Sequence, residues 1–156
     1  MKPLLTIAIC STSLLVGCAS QSKTPPPMQD TNSVQALTTW DDAYGECIQQ
    51  ARTSQYAFPK DNKWFNSLEP AQQKNVVIYL YQDKMYGCSA QETQTLKKAL
   101  IKDGNDTLLN FFTSVNVFEK PNENLIAGLD ADKVAHFARE VPVFNIAQAV
   151  KQLKLK

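Results

Sequence analysis

The sequence predicts an all-α fold: a single small helical domain of about five to six helices, spanning residues 34–156. Two observations carry this. Apolar residues recur at steps of three and four in segment after segment, the period of one helix face. The segments are punctuated by helix stop and start signals rather than by hairpin turns. About 120 residues suffice for one domain with a real core and are too few for two. No internal repeat is present.

The first element follows from Leu37, Trp40, Tyr44, Cys47, Ile48 and Ala51 on one face, with Ser33 as N-cap and Gly45 a weak point. Residues 53–68 lose the period and carry Phe58-Pro59, Asp61-Asn62 and Trp64-Phe65, so they read as an irregular segment pinned by aromatics. The run Val76-Val77-Ile78-Tyr79-Leu80-Tyr81 would by itself suit a buried strand. Its flanks favour a helix, since Pro70 stands just inside the start and Gly87 just past the end. Ser89-Ala90-Gln91-Glu92 has the form of a capping box and opens a helix through Lys102, stopped by Asp103-Gly104. Leu108, Phe111, Phe112, Val115 and Phe118 predict a fourth helical face, ended near Pro121. Asp130 caps a fifth with Val134, Phe137, Ala138 and Val141, and Pro142 breaks it; Val143, Ile146, Val150 and Leu153 form a sixth.

Ahead of the domain the composition changes twice. Residues 18–33 contain Pro25-Pro26-Pro27 among small polar residues, with almost nothing to bury, which favours an extended polyproline II linker. Residues 1–17 open with Lys2 and then run from Leu4 to Val16 without a charge, ending in small residues. That is the layout of an export signal, and the run is shorter than the roughly 20 residues a membrane-spanning helix needs.

The stretch Leu15-Val16-Gly17-Cys18 resembles the lipobox of bacterial lipoproteins. The resemblance implies that the leader is removed, that Cys18 becomes the acylated first residue of the mature chain, and that the bilayer is its first partner. The competing reading is cleavage by the general signal peptidase, with Cys18 a spare thiol. Ala19, where an aspartate would favour inner-membrane retention, implies an outer-membrane location with the body facing the periplasm. Acyl chains supply about 0.8 kcal/mol per buried methylene, so a basic surface is not needed for anchoring.

Charge and cysteine usage narrow the function further. Loss of Lys2 would leave fifteen cationic against fifteen anionic residues, which argues against nucleic acid as a partner. With Cys10 in the leader and Cys18 committed to lipid, Cys47 and Cys88 remain as an even pair. A disulfide between them would clip a helix hairpin; two reduced core thiols or a metal pair are the alternatives, the last disfavoured because no histidine is near.

Catalytic constellations are sparse. His136 is the single histidine, and no Gly-x-Ser-x-Gly turn is present. Asp132, His136 and Glu140 share a helix face that could hold a cation, against the plainer account of a solvated stripe beside Lys133 and Arg139. Asp41, Asp42 and Glu46 could suggest paired carboxylates for glycoside cleavage, against the plainer account that acids early in a helix complement its dipole. No catalytic, cofactor or metal site is expected, and the protein is expected not to be an enzyme.

The aromatics Trp64, Phe65, Phe111, Phe112 and Phe118 are candidates to line a groove for a partner's amphipathic helix, or else are core. The layout of lipobox, short linker, small helical domain and cysteine pair, with Cys47 followed by the irregular Phe58-Pro59 stretch, resembles the helical pilotins of type II secretion. That resemblance implies a non-enzymatic adaptor that captures the C-terminal segment of a secretin and aids its outer-membrane targeting and assembly. The early position of Cys88 and the helices after Pro121 depart from that pattern, and no groove residue is carried over. A structural or inhibitory envelope lipoprotein bound to another periplasmic protein is the alternative, and an envelope hydrolase using His136 is a third.

Overall fold

A computed structural model describes residues 32–155. The expected leader, Cys18 and all but the last two residues of the linker lie outside the described residues. Seven α-helices and one 3-10 turn make up the fold, and no strand occurs among the described residues. The count exceeds the expected five to six because a single-turn helix forms inside the irregular segment.

Helix α1 (Ser33–Thr53) is capped by Asn32 rather than Ser33, with the Asn32 side chain accepting from the Gln35 N–H at 2.9 Å. Ser33 is instead the first helical residue, and its free N–H donates to Asp103 Oδ2 at 2.7 Å. The buried face of α1 is Ser33, Ala36, Trp40, Cys47 and Ala51. The segment after it contains α2 (Lys63–Asn66), whose first turn is satisfied by Asn62 Oδ1 accepting from the Phe65 N–H. Phe58, 1% exposed, anchors the irregular stretch. Its backbone is held in both directions by Gln152, which accepts from the Phe58 N–H and donates to the Phe58 carbonyl.

The β-branched run is helical, within α3 (Pro70–Cys88), which starts at Pro70 as its flanks predict. Pro70 lacks the N–H that would be orphaned there, and the Gln72 side chain accepts from the Glu69 N–H to finish the cap. Val76, Val77 and Leu80 have no exposed surface. α3 is the element the others surround, packing against α1, α6, α7 and the 3-10 turn. Gly87 lies inside its last turn, not beyond it, because α4 (Ala90–Lys102) follows after Ser89 alone. The expected capping box does not form: Ser89 has φ −114° and ψ 21°, off the extended geometry of a cap, and its buried hydroxyl faces the Thr93 hydroxyl at 3.4 Å.

Helix α4 stops at Gly104, whose φ of +63° suits a residue without a side chain. α5 (Asp106–Ser114) is shorter than the sequence predicts, since Asn116 takes a left-handed φ of +59° and turns the chain. Phe118 therefore falls outside the helix, yet the turn folds it back to 6% exposure. The 3-10 turn (Glu123–Ile126) was not foreseen. α6 (Ala131–Glu140) begins as expected, with Asp130 Oδ1 accepting from the N–H groups of Asp132 and Lys133. α7 (Ile146–Leu153) is capped by Asn145, which also donates to the Arg52 carbonyl and so ties α7 to the end of α1. Val143 precedes α7 and packs on Cys47, Ala51 and Met85 instead of continuing the α7 face.

Helices α1 and α4 run antiparallel. Ser33 meets Asp103 at one end, Trp40 donates to Thr93 midway, and Cys47 is bonded to Cys88 near the other, with 6.1 Å between the cysteine Cα atoms. The cysteine pair is thus a disulfide, joining α1 to the last residue of α3. Two main hydrophobic clusters result. One, around Phe58, Phe65, Phe137 and Phe144, fills the space between α3, α6 and α7. The other, around Trp40, Leu96, Leu100, Phe112 and Phe118, lies between α1, α4 and α5.

Candidate functional site

Beside a small third cluster of Cys47, Ala51 and Met85, against which Tyr44 and Tyr81 pack, lies an open cleft of about 720 Å³. That is within the range of roughly 300–1,000 Å³ typical of ligand sites. One wall comes from α1 (Trp40, Tyr44), the floor and second wall from α3 (Tyr81, Met85, Tyr86), and the rim from residues 115–123. The cleft is positioned by spacing within helices. Trp40 and Tyr44 are four apart on α1, and Tyr81 and Met85 are four apart on α3, so each pair projects from one face.

The rings are held before any ligand arrives. Trp40 stacks on Tyr44 with centroids 5.1 Å apart and planes 11° apart, and it meets Phe112 edge-on behind. Trp40 Nε1–H donates to Thr93 Oγ1 at 3.1 Å in a buried bond, which fixes the indole. Burial, and then the nearby Tyr44, raises the Tyr81 pKa above the ordinary tyrosine value, so its phenol is neutral at physiological pH. On the rim the Asn122 N–H donates to Gln82 Oε1 at 3.0 Å, joining the 115–123 segment to α3. Glu119, Lys120 and Glu123 stand exposed there. The result is a trough with an aromatic interior, phenol groups for polar contacts and a charged edge.

None of the five expected groove residues lines this cleft. Trp64 and Phe65 belong to the α3–α6–α7 cluster, where Phe65 has no exposed surface. Phe112 and Phe118 are buried in the α1–α4–α5 cluster, and Phe111 stands on the outer surface of α5 at 56% exposure. They do not form one groove. Phe65, Phe112 and Phe118 have no polar atom to keep wet and are drawn into the interior, whereas tyrosine can line a wet trough with its hydroxyl in water. The signal available in the sequence is the four-residue spacing of Trp40/Tyr44 and of Tyr81/Met85, which by itself is also the spacing of a core stripe.

The candidate chemical groups lie elsewhere. His136 is exposed on α6 with Nδ1 3.3 Å from Glu140 Oε1, and no residue of α6 lines the cleft. Asp132 is exposed on the same helix, and no group of three or more metal-ligating residues is assembled among the described residues. Asp41 and Asp42 are exposed in the third turn of α1, so the helix dipole does not explain them, contrary to expectation. Glu46 lies with Glu92 at a shallow hollow beside the disulfide.

No family model matches the chain, and neither the curated proteins nor the solved structures hold a match to it.

Proposed function

We propose that this chain is a lipid-anchored outer-membrane adaptor, acting by binding rather than by catalysis, and that its aromatic cleft receives a segment of a partner protein. The observation that carries the reading is the cleft itself, in which Trp40, Tyr44, Tyr81 and Tyr86 offer amphipathic rings around a trough of peptide-binding size. The lipobox-like Leu15-Val16-Gly17-Cys18 supports the anchor, since acylation at Cys18 would hold the domain at the periplasmic face of the membrane. The finer reading is that of a pilotin, with the C-terminal segment of a type II secretion secretin as partner. It is supported by the helical body, the Cys47–Cys88 disulfide and the short linker.

Two experiments test this. Cys18→Ser should release the protein from the membrane fraction and abolish the acyl mass at its N-terminus; a variant still membrane-bound removes the anchor from the proposal. Titration with a secretin C-terminal peptide should be weakened about tenfold or more by Tyr86→Ala, the size of loss seen for a central aromatic contact. Binding indifferent to Tyr44 and Tyr86 overturns the cleft as the site. Cleft-dependent binding of a different periplasmic protein, with no affinity for the secretin peptide, favours the alternative of a structural or inhibitory envelope lipoprotein.

A further inference from the structure

Two buried hydroxyls border the cleft, and their protons outnumber their acceptors. Ser89 and Thr93 are 2% and 3% exposed, and both line the cleft with Trp40 and Tyr86. The Trp40 Nε1–H donates to Thr93 Oγ1 at 3.1 Å, and the Ser89 and Thr93 hydroxyl oxygens stand 3.4 Å apart. Each oxygen therefore has a partner. The three groups nonetheless bring three protons to two hydrogen bonds, since an indole N–H only donates and each hydroxyl carries one proton. One hydroxyl proton is left without a protein acceptor among the described residues.

Direction decides which proton it is. An oxygen that accepts a hydrogen bond is polarised into a better donor. Thr93, already accepting from the indole, thus donates on to Ser89 Oγ, and the chain from Trp40 through Thr93 ends at the Ser89 O–H. The Ser89 side chain is not drawn into capping, for at φ −114° and ψ 21° it makes no hydrogen bond to the first turn of α4. Its backbone is fixed all the same, because the neighbouring Cys88 is bonded to Cys47 and ties this junction to α1. The surroundings define the acceptor. The lining carries charge only at the exposed rim, as Glu119, Lys120 and Glu123, so the floor holds no cation to pair with a carboxylate. An ion desolvated there without a partner loses more than one hydroxyl bond returns, whereas a neutral amide carbonyl needs one donor and no counter-charge. Tyr44 and Tyr86 offer ring surface for the apolar atoms next to that carbonyl.

We infer that Ser89 is the polar anchor of the cleft, donating to an uncharged amide carbonyl of the occupant while Trp40 and Thr93 hold the hydroxyl in place. The inference deepens the binding reading above and rests on it. Carbonyls within a helix are already satisfied by its own N–H groups, whereas those of its last turn or of an extended stretch are open. The carbonyl therefore comes from such a main-chain position or from an Asn or Gln side chain. The anchor selects against a segment that shows the cleft only closed helix and apolar side chains.

The test titrates the full-length chain, in detergent solution, with two compounds while following the backbone amide NMR signals of Tyr44 and Tyr86. N-acetylleucine methylamide has main-chain carbonyls only, and N-acetylglutamine methylamide adds a carboxamide. Ser89→Ala should weaken binding about fivefold, the size of one neutral hydrogen bond, and Thr93→Ser, which keeps its hydroxyl, should leave it unchanged. Loss with both compounds assigns the main chain as the source of the carbonyl, and loss with the glutamine compound alone assigns the side chain. A second comparison needs no variant: the thioamide form of the bound compound, a weaker acceptor, should bind the parent protein less tightly. Equal affinity of parent and Ser89→Ala for both compounds, equal affinity of amide and thioamide, or no shift at the cleft with either compound overturns the anchor. The two readings fail separately. A secretin peptide that does not bind, while these compounds depend on Ser89, speaks against the partner alone; a peptide bound through Tyr86, with Ser89→Ala without effect on any ligand, speaks against the anchor alone.

Discussion

The two hydrophobic clusters share an aromatic composition and differ in how completely they close. Around α3, α6 and α7 the four rings of Phe58, Phe65, Phe137 and Phe144 are each at most 1% exposed, and Phe58 touches the other three with centroids 5.3–5.7 Å apart. Between α1, α4 and α5 the rings of Trp40, Phe112 and Phe118 keep 6–7% of their surface, while Phe111 and Val115 are more than half exposed. The difference follows from how the chain closes rather than from ring type, since Tyr56, Trp64, Tyr79 and Tyr81 pack against the sealed cluster, while α5 ends before the left-handed Asn116 and leaves Phe111 and Val115 outside. The sealed cluster supplies stability, and the open one supplies the cleft.

Substitutions can break that division. Phe137→Ala should cost the most, about 5 kcal/mol, because the ring touches Phe58, Trp64 and Phe65 and leaves a cavity that cannot collapse; chemical denaturation measures it. Replacing Cys47 and Cys88 together by serine should cost about 4 kcal/mol in the chain-entropy account of a cross-link between residues 41 apart, read as a lower denaturant midpoint. Thr93→Val strands the Trp40 indole N–H without its buried acceptor, so a loss of about 1–3 kcal/mol should accompany a change in Trp40 fluorescence. Gly45→Ala goes the other way. The site is exposed, mid-helix and open around the added methyl, so a gain of about 0.5–1 kcal/mol in thermal unfolding is expected.

The smallest effect is a pH dependence at the α1–α4 junction. The Ser33 N–H, and then its hydroxyl, hold the Asp103 carboxyl below its ordinary value of 3.8. The carboxylate is favoured in the folded state, so its contribution is fully present above that value and is lost as pH falls through the depressed one. Asp103→Asn should therefore lower the denaturant midpoint at neutral pH, and the gap to the parent should close in strong acid.

Most of the fold was legible because local signals and packing agree. Val76 to Tyr81 reads as a strand in isolation, but Pro70 fixes the helix start and α3 forms, running on through Gly87 to Cys88. With Cys10 set aside for the leader and Cys18 for lipid, Cys47 and Cys88 remain as the even pair, and the disulfide joins them. What escaped depends on distant contacts. Asn32 and Ser33 are both good caps, and the choice is tied to Asp103, 70 residues away. The α5 terminus turns on one left-handed residue, Asn116, in a stretch whose apolar spacing continues past it. The cleft was missed because its rings come from helices far apart in sequence, and each pair alone looks like a core stripe.

The disulfide also decides how the domain bears force. A pull arriving through the segment before Asn32 enters α1 along its axis and shears it against antiparallel α4, loading Ser33–Asp103 first and the Trp40–Thr93 contact next. Unravelling halts at Cys47, because a covalent bond there transfers the load to α3, which packs against α1, α6, α7 and the 3-10 turn. Tension can therefore strip the first turns of one helix, including the wall of the cleft, while the phenylalanine cluster stays intact. The binding face is mechanically the fuse of this molecule.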